Sequence, residues 1–410
     1  MATLRLTLPA DLFRPILEYG ELDKADLCSV ALASRLLREE GQHILFRDPG
    51  LIKVHAHGNL DRAGAFFDAM LSSPHRLALM VHSYTQTTDW SENAWSDQKA
   101  AQHSSPEELF TKMTQALKLM VNLKTFRSRD VGGSDSRSQF SMVDCIRQCG
   151  FKLGEFAWNH ADEDMRLLEE FLVFQDDIEY LELNGVFDSG GVSDFNNSNA
   201  ERLLISGKNV CPKLETLHGP MSNSMIFLPG KTGVKFLAWT WDIYAPDRLD
   251  AAIHAAHICA SLNTLQYLEY KTHVDCGIKF TTIAPYLNTL VVLKISIQCI
   301  KEVSELSCGV PTLRAIHFFN ERIWDFPNRE EADGDFALVS SIFTLFEKLK
   351  FVDVDRDSKQ RGRCGQSVVF SKRFIVSPET KELTSTQVNK SEENWWRDRV
   401  YLVSRHSAET

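Results

Sequence analysis

The sequence predicts an α/β fold in which short strands alternate with helices along most of the chain, behind a small helical segment. One observation is a phrase of two or three apolar residues at fixed offsets, which returns nine times between residues 123 and 354. A second is that helix-like stretches lie between the copies. A third is that residues 1–50 hold three short apolar stretches, too few for a core of their own. We therefore expect a helical module at 1–50, an array of strand–helix units at 51–355, and a C-terminal cap with a polar tail at 356–410.

Three helical elements are predicted in the N-terminal module. The first begins near Leu8-Pro9, and apolar residues then recur on one helix face. Asp23 and Asp26 are placed to cap a second helix that continues through Leu37, and residues 44–46 form a third, short element. The apolar positions on which the module depends are Leu8, Pro9, Leu12, Ile16, Leu17, Leu27, Leu32 and Leu36.

The order and spacing of these residues resembles an F-box, the helical module by which substrate receptors of ubiquitin ligases dock on the Skp adaptor. The resemblance covers Leu4 to Arg47, and this segment is similar to the fungal variety of the motif. It implies that the eight apolar positions form the Skp-facing or locally structural surface, and that Skp joins the chain to a cullin-RING ligase. The alternative is that these helices only cap the rest of their own chain.

The repeated phrase marks the starts of nine predicted strands, at intervals of 20 to 36 residues. A polar residue precedes nearly every copy, and helix-like stretches such as 107–120, 163–174 and 336–346 lie between copies. The first anchors are Leu123, Leu153, Ile178, Leu214, Val234, Leu265, Leu290, Leu313 and Leu349. The pattern resembles a degenerate leucine-rich repeat, which implies an irregular open solenoid with parallel inner strands. Two earlier strands, at 51–56 and 77–83, are expected to begin the array.

Within each predicted strand, the residue between the second and third anchors faces away from the anchors, because strand side chains alternate. The charged or polar residues at these positions are Arg127, Glu182, His218, Glu269, Lys294, His317 and Asp353. Their mixed charge suits a protein substrate better than a polyphosphate. We therefore predict that they contact a substrate; the alternative for each is an ordinary solvated strand residue.

After residue 355 the sequence becomes polar, and this part is expected to cap the array. The basic run at 359–363 is predicted to be a loop, and residues 368–376 are predicted to form a strand. A cap is needed because the last unit of an array has no neighbour to cover its apolar side.

Composition argues against several classes of protein. The net charge of -10 disfavours a nucleic-acid binder, and no apolar run reaches the ~20 residues of a membrane-spanning helix. The first residues form no apolar signal core, and nine cysteines are scattered without a CxxC pair. We therefore expect reduced thiols and a protein of the cytoplasm, the nucleus or both.

Few motifs in the sequence could bind a metal or a phosphate or take part in catalysis. His254 and His257 have a spacing that two zinc ligands can use, but no third ligand accompanies them, and Gly230-Lys231-Thr232 lacks the earlier glycine of a phosphate-binding loop. We expect no enzyme, cofactor or metal. The prediction is a non-catalytic adaptor that recognises a protein substrate. The alternatives are a leucine-rich-repeat scaffold that recruits no ligase, and a hydrolase or metal enzyme hidden in the array.

Overall fold

The computed structural model describes residues 9, 12–20, 22–54, 60–89, 105–131, 140–160, 164–183, 209–240, 258–271, 280–296, 299–304, 306, 310–319, 332–361, 367–377, 379–380 and 382–388. The chain divides into two compact units. The first comprises Met1–Phe187 with Asn209–Lys213, and the second comprises Asp188–Lys208 with Leu214–Thr410. Both are mixed α/β and their strands are mostly parallel.

Three helices open the first unit: α1 (Phe13–Tyr19), α2 (Lys24–Ala33) and α3 (Arg35–Arg47). Asp23 caps α2 by accepting a hydrogen bond from the Asp26 amide at 2.8 Å, as predicted. The prediction that α2 continues through Leu37 is wrong. Ser34 has an extended backbone and its hydroxyl accepts a hydrogen bond from the Leu37 amide at 3.1 Å, so a new helix begins there. The element expected at 44–46 is the end of this longer α3.

Strands and helices alternate through the rest of the first unit. In chain order they are β1 (Leu51–Val54), α4 (Leu60–Ser72), α5 (Leu77–Met80), β2 (Ser83–Thr88), α6 (Pro106–Leu119), β3 (Thr125–Asp130), α7 (Met142–Ile146), β4 (Glu155–Asn159), α8 (Asp164–Glu170), a 3-10 turn (Leu172–Phe174) and β5 (Tyr180–Leu183). Strands β1 to β5 pair in parallel in sequence order. The strand predicted at 77–83 is wrong, because Leu77–Met80 is helical and the strand begins at Ser83.

The second unit continues the same alternation and ends in an antiparallel segment. Its elements are β6 (Thr216–Pro220), α9 (Met221–Phe227), β7 (Phe236–Thr240), β8 (Tyr267–Tyr270), α10 (Phe280–Ile283), a 3-10 turn (Ala284–Tyr286), β9 (Val292–Ser296), α11 (Ile300–Ser304), β10 (Ala315–Phe319), α12 (Ala332–Leu345), β11 (Phe351–Arg361), β12 (Ser367–Val376) and β13 (Leu383–Val388). Strands β6 to β11 are parallel, and β11, β12 and β13 are antiparallel.

The C-terminal segment confirms one prediction and corrects another. The strand expected at 368–376 is β12. The loop predicted for the basic run at 359–363 is wrong at its start, because β11 extends to Arg361. The expected boundary at residue 355 therefore falls inside a strand.

Every copy of the repeated phrase forms a strand that begins two residues after its first anchor. The second anchors lie in register across neighbouring strands and are buried: Phe126, Phe156 and Leu181 in the first unit, and Leu217, Leu237, Leu268, Leu293, Ile316 and Val352 in the second. Burying each of these side chains contributes ~1.5–3 kcal/mol, so the phrase defines the core of both units. None of the helices in the described ranges is long and apolar enough to cross a membrane.

Candidate partner-binding surfaces

Helix α3 is the centre of the N-terminal module. Its Gly41 lies so close to α2 that a Cβ atom built there would be 3.2 Å from the Ala31 Cβ. Two ion pairs join α3 to α1: Arg14 with Glu40 at 2.7 Å, and Glu18 with Arg47 at 3.2 Å. At its other side α3 packs against α5. The module is therefore attached to the following strand–helix units through α3.

The predicted Skp-facing residues divide into an exposed and a buried group. Leu12, Ile16, Leu32 and Leu36 are 43%, 51%, 78% and 44% exposed, and Pro9 is exposed as well. Leu17 and Leu27 are buried inside the module, and Leu8 lies outside the described residues.

The exposed apolar residues concentrate on the N-terminal module. With Tyr19, which sequence reasoning missed, the module supplies five of the twelve large hydrophobic side chains found exposed among the described residues. Leu12, Ile16 and Tyr19 follow a spacing of four and three residues and lie along one face of α1. Leu32 and Leu36 flank the junction of α2 and α3. Such a concentration on a short segment is typical of a docking surface.

A second candidate surface is formed by the strand side chains that alternate with the buried anchors; we call it the polar face of each unit. In the first unit Arg127, on β3, forms an ion pair with Glu155 on β4 at 3.1 Å. Its guanidinium also lies 6.0 Å from the centre of the Tyr180 ring. The Tyr180 hydroxyl donates a hydrogen bond to Glu182 at 2.8 Å. Arg127 is exposed and Glu182 is half-buried.

One further row of the same polar face contains basic residues that sequence reasoning missed. Lys53 on β1, Thr87 on β2 and Arg129 on β3 are aligned by the strand register. Lys53 and Arg129 are exposed. Arg129 could have been predicted from the alternation of strand side chains, because it lies two residues after Arg127 and therefore on the same face.

On the polar face of the second unit, a buried acid is paired with two lysines. Lys271 and Lys294 both place their Nζ atoms near one oxygen of Glu269, at 3.0 and 3.1 Å. Burial opposes ionisation of Glu269, but the two ammonium groups outweigh it and lower its pKa to about 2. Both ammonium groups also lie over the Phe319 ring, 5.8 and 5.4 Å from its centre. Glu269 is therefore a charged, internally compensated residue.

The next strands of this face carry two more acids with partners inside the protein. Arg373 on β12 donates two hydrogen bonds of 2.8 Å to Asp353 on β11. The His317 Nε2 atom lies 2.9 Å from an oxygen of Asp355. His317, Asp353 and Asp355 are buried. The register brings the predicted residues Glu269, Lys294, His317 and Asp353 into one row across adjacent strands, but each of them already has a polar partner within the protein.

The remaining predicted substrate-binding residue, His218, lies in β6 beside Ala238 of β7. It is half-buried. His218 is thus in the same row as the ion-paired residues of the second unit, two strands before Glu269.

A buried chain of polar side chains crosses the core of the first unit and was not predicted. The Tyr84 hydroxyl donates to Gln86 at 2.8 Å, and the Gln86 amide donates to the Ser128 hydroxyl at 2.9 Å. The Ser128 Oγ and the His160 Nε2 are 2.8 Å apart. A hint exists in the sequence, since Ser128 occupies the third-anchor position, where most other copies have an apolar residue.

The Ser128–His160 pair has the distance of a nucleophile and its base, but its surroundings are those of a structural contact. Both residues are buried, and burial lowers the pKa of His160 to about 3. The imidazole is therefore neutral, and it packs against the Trp158 indole with ring centres 4.3 Å apart.

The other motifs offer no site within the described ranges. No group of three or more histidine, cysteine or acidic residues there could hold a metal ion. His254 and His257 lie outside the described residues. Gly230, with a φ of 72°, and Lys231 form a turn after α9.

Comparison with protein-family models and with curated proteins finds no match to the sequence. The function of the chain is therefore inferred from the two kinds of surface described above: the exposed apolar residues of α1–α3 and the polar face of each unit.

Proposed function

We propose that the chain is a non-catalytic substrate-recognition adaptor of a Skp–cullin–F-box ubiquitin ligase. The observation that carries the proposal is the exposure of Leu12, Ile16, Leu32 and Leu36. These are residues that the F-box resemblance assigns to the adaptor-facing surface, and apolar side chains of this size are stabilised when a partner covers them. Burying the exposed halves of four such side chains would contribute ~1 kcal/mol each.

The rest of the chain supports the second half of the proposal. Its strands are parallel, in register and in sequence order, with helices between them, which is the arrangement expected of a degenerate leucine-rich-repeat array. The polar face of the first unit carries exposed charged side chains, Lys53, Arg127 and Arg129, which a protein partner can reach. The chain would act by tethering, which raises the effective concentration of a substrate near the ligase.

Co-expression with a Skp adaptor tests the proposal. A stoichiometric complex should survive gel filtration, and the double variant Leu12→Asp/Ile16→Asp should lose it while retaining its circular dichroism spectrum. Val121→Asp is a matched control, because Val121 is 48% exposed and lies outside the N-terminal module. A wild-type chain that elutes as a monomer in the presence of the adaptor would refute the ligase function.

A second candidate is a leucine-rich-repeat scaffold whose N-terminal helices cap the array. The packing of α3 against α5, together with the hydrogen bond from the His82 amide to the Arg47 carbonyl at 3.0 Å, favours this function. Under this alternative, both the wild type and the Leu12→Asp/Ile16→Asp variant should elute unchanged when the adaptor is present.

A further inference from the structure

Strand β13 forms one edge of the sheet in the second unit. Within the described ranges it pairs with β12 alone, in an antiparallel register that runs without a shift from Leu383 to Val388. Along its other side, every second residue directs its backbone amide and carbonyl away from β12. Such an edge is a template to which a further strand can add.

The sequence of β13 lacks the features by which proteins usually prevent strand addition. Those features are an edge lysine, a proline, a bulge or a very short strand. β13 reads Leu-Thr-Ser-Thr-Gln-Val, with no charged residue and no proline, and half of its residues are β-branched, which favours strands. Strand β1, which pairs with β2 alone among the described strands, has only four residues and carries the exposed Lys53.

The edge of β13 is complementary to a second copy of itself. In an antiparallel pair with a twofold axis at Ser385, Thr384 lies opposite the partner's Thr386, and Thr386 lies opposite the partner's Thr384. Threonine pairs across neighbouring strands are stabilising, and both threonines are exposed. Each chain has a net charge of -10, but β13 itself is uncharged, so this pairing opposes no like charges within the strand.

We propose that the chain forms a twofold-symmetric dimer in which β13 pairs with β13 of a second copy. Because this contact uses the same edge of both copies, association stops at two chains. One short strand pair buries less than the ~1,200 Å² of a stable interface, so the dimer dissociates on dilution. The dimer does not depend on the proposed ligase function, because the Skp-facing residues lie in the first unit.

Sedimentation equilibrium of the full-length chain over a roughly hundredfold range of concentration tests the proposal. The average mass should rise towards that of two chains and no further. Thr384→Lys/Thr386→Lys opposes like charges across the axis and should weaken association at least about tenfold, as should Thr384→Glu/Thr386→Glu. An equimolar mixture of the two variants should dimerise again, because each lysine then faces a glutamate.

Thr111→Lys/Thr344→Lys is the matched control. It makes the same two substitutions at exposed threonines on α6 and α12, and it should associate like the wild type. A wild-type chain that stays monomeric at every concentration, association that continues past two chains, or equal association of the control and of Thr384→Lys/Thr386→Lys would each overturn the proposal. Co-purification of Thr384→Lys/Thr386→Lys with Skp should be unchanged, so failure here is distinguishable from failure of the ligase function.

Discussion

Acidification should loosen the first unit through one histidine, His160. Its imidazole is buried against Trp158 and Ser128, and its pKa in the folded chain is about 3, compared with about 6.5 for an exposed histidine. The unfolded chain therefore binds a proton at this residue between pH 6.5 and 3, and the folded chain does not. Because the folded pKa is the lower one, stability is present above pH 6.5 and is lost as the pH falls towards 3.

The size of the effect follows from the pKa difference. Lowering the pH from 7 to 5 covers about 1.5 units below the unfolded pKa, and each unit is worth about 1.36 kcal/mol. His160 alone should therefore remove ~2 kcal/mol from the free energy of any opening that exposes it. This corresponds to a roughly 30-fold lower protection factor for the amides of β4.

Hydrogen–deuterium exchange of the full chain, with protection factors corrected for intrinsic rates at each pH, measures this change. His160→Gln removes the titration, so the variant should lose much less protection in β4 between pH 7 and pH 5. His75→Gln is the control, because His75 is exposed and should behave like the wild type. An equal pH dependence in wild type and His160→Gln would refute the reasoning.

Two further changes test the packing of each unit. Arg373→Ala leaves the buried carboxylate of Asp353 without its two hydrogen bonds and should lower the free energy of unfolding in urea by ~3–5 kcal/mol. Arg127→Ala removes an exposed ion pair and should lower it by less than ~1 kcal/mol. Similar losses in the two variants would contradict the difference in burial. Gly41→Val places a branched side chain where even a Cβ is crowded and should lower the stability of the N-terminal module by ~1–3 kcal/mol. Thermal unfolding followed by circular dichroism measures this loss. An unchanged melting temperature would contradict the close contact of α2 and α3.

The strands of the repeated phrase could be predicted because their signal is local. A strand can be recognised from an apolar anchor followed by two alternating anchors, as at Leu265, Leu268 and Tyr270, because strand side chains alternate. Strand β2 lacked this signal. Its inward positions are Tyr84, Gln86 and Thr88, two of which are polar, and the buried Gln86 donates a hydrogen bond to Ser128, 42 positions further along the chain.

Whether a candidate site residue is ion-paired or exposed depends on the strand register, which the sequence does not reveal. Glu269 and Lys294 are 25 positions apart, and their contact exists because β8 and β9 are aligned at these residues. The same holds for Asp353 and Arg373. The residue types therefore indicated a polar face, but which of its charges are paired and which are exposed could be seen only once neighbouring strands were placed side by side.

The stacked second anchors of the second unit have a consequence for how such a chain can change over evolutionary time. Leu237, Leu268, Leu293 and Ile316 occupy equivalent places in successive strands, and each strand pairs with the ones before and after it. If one strand with its following helix were deleted, the flanking strands would present the same anchor to each other. Duplication of such a segment would be accommodated in the same way, so the number of segments can vary while the polar face and the core keep their pattern.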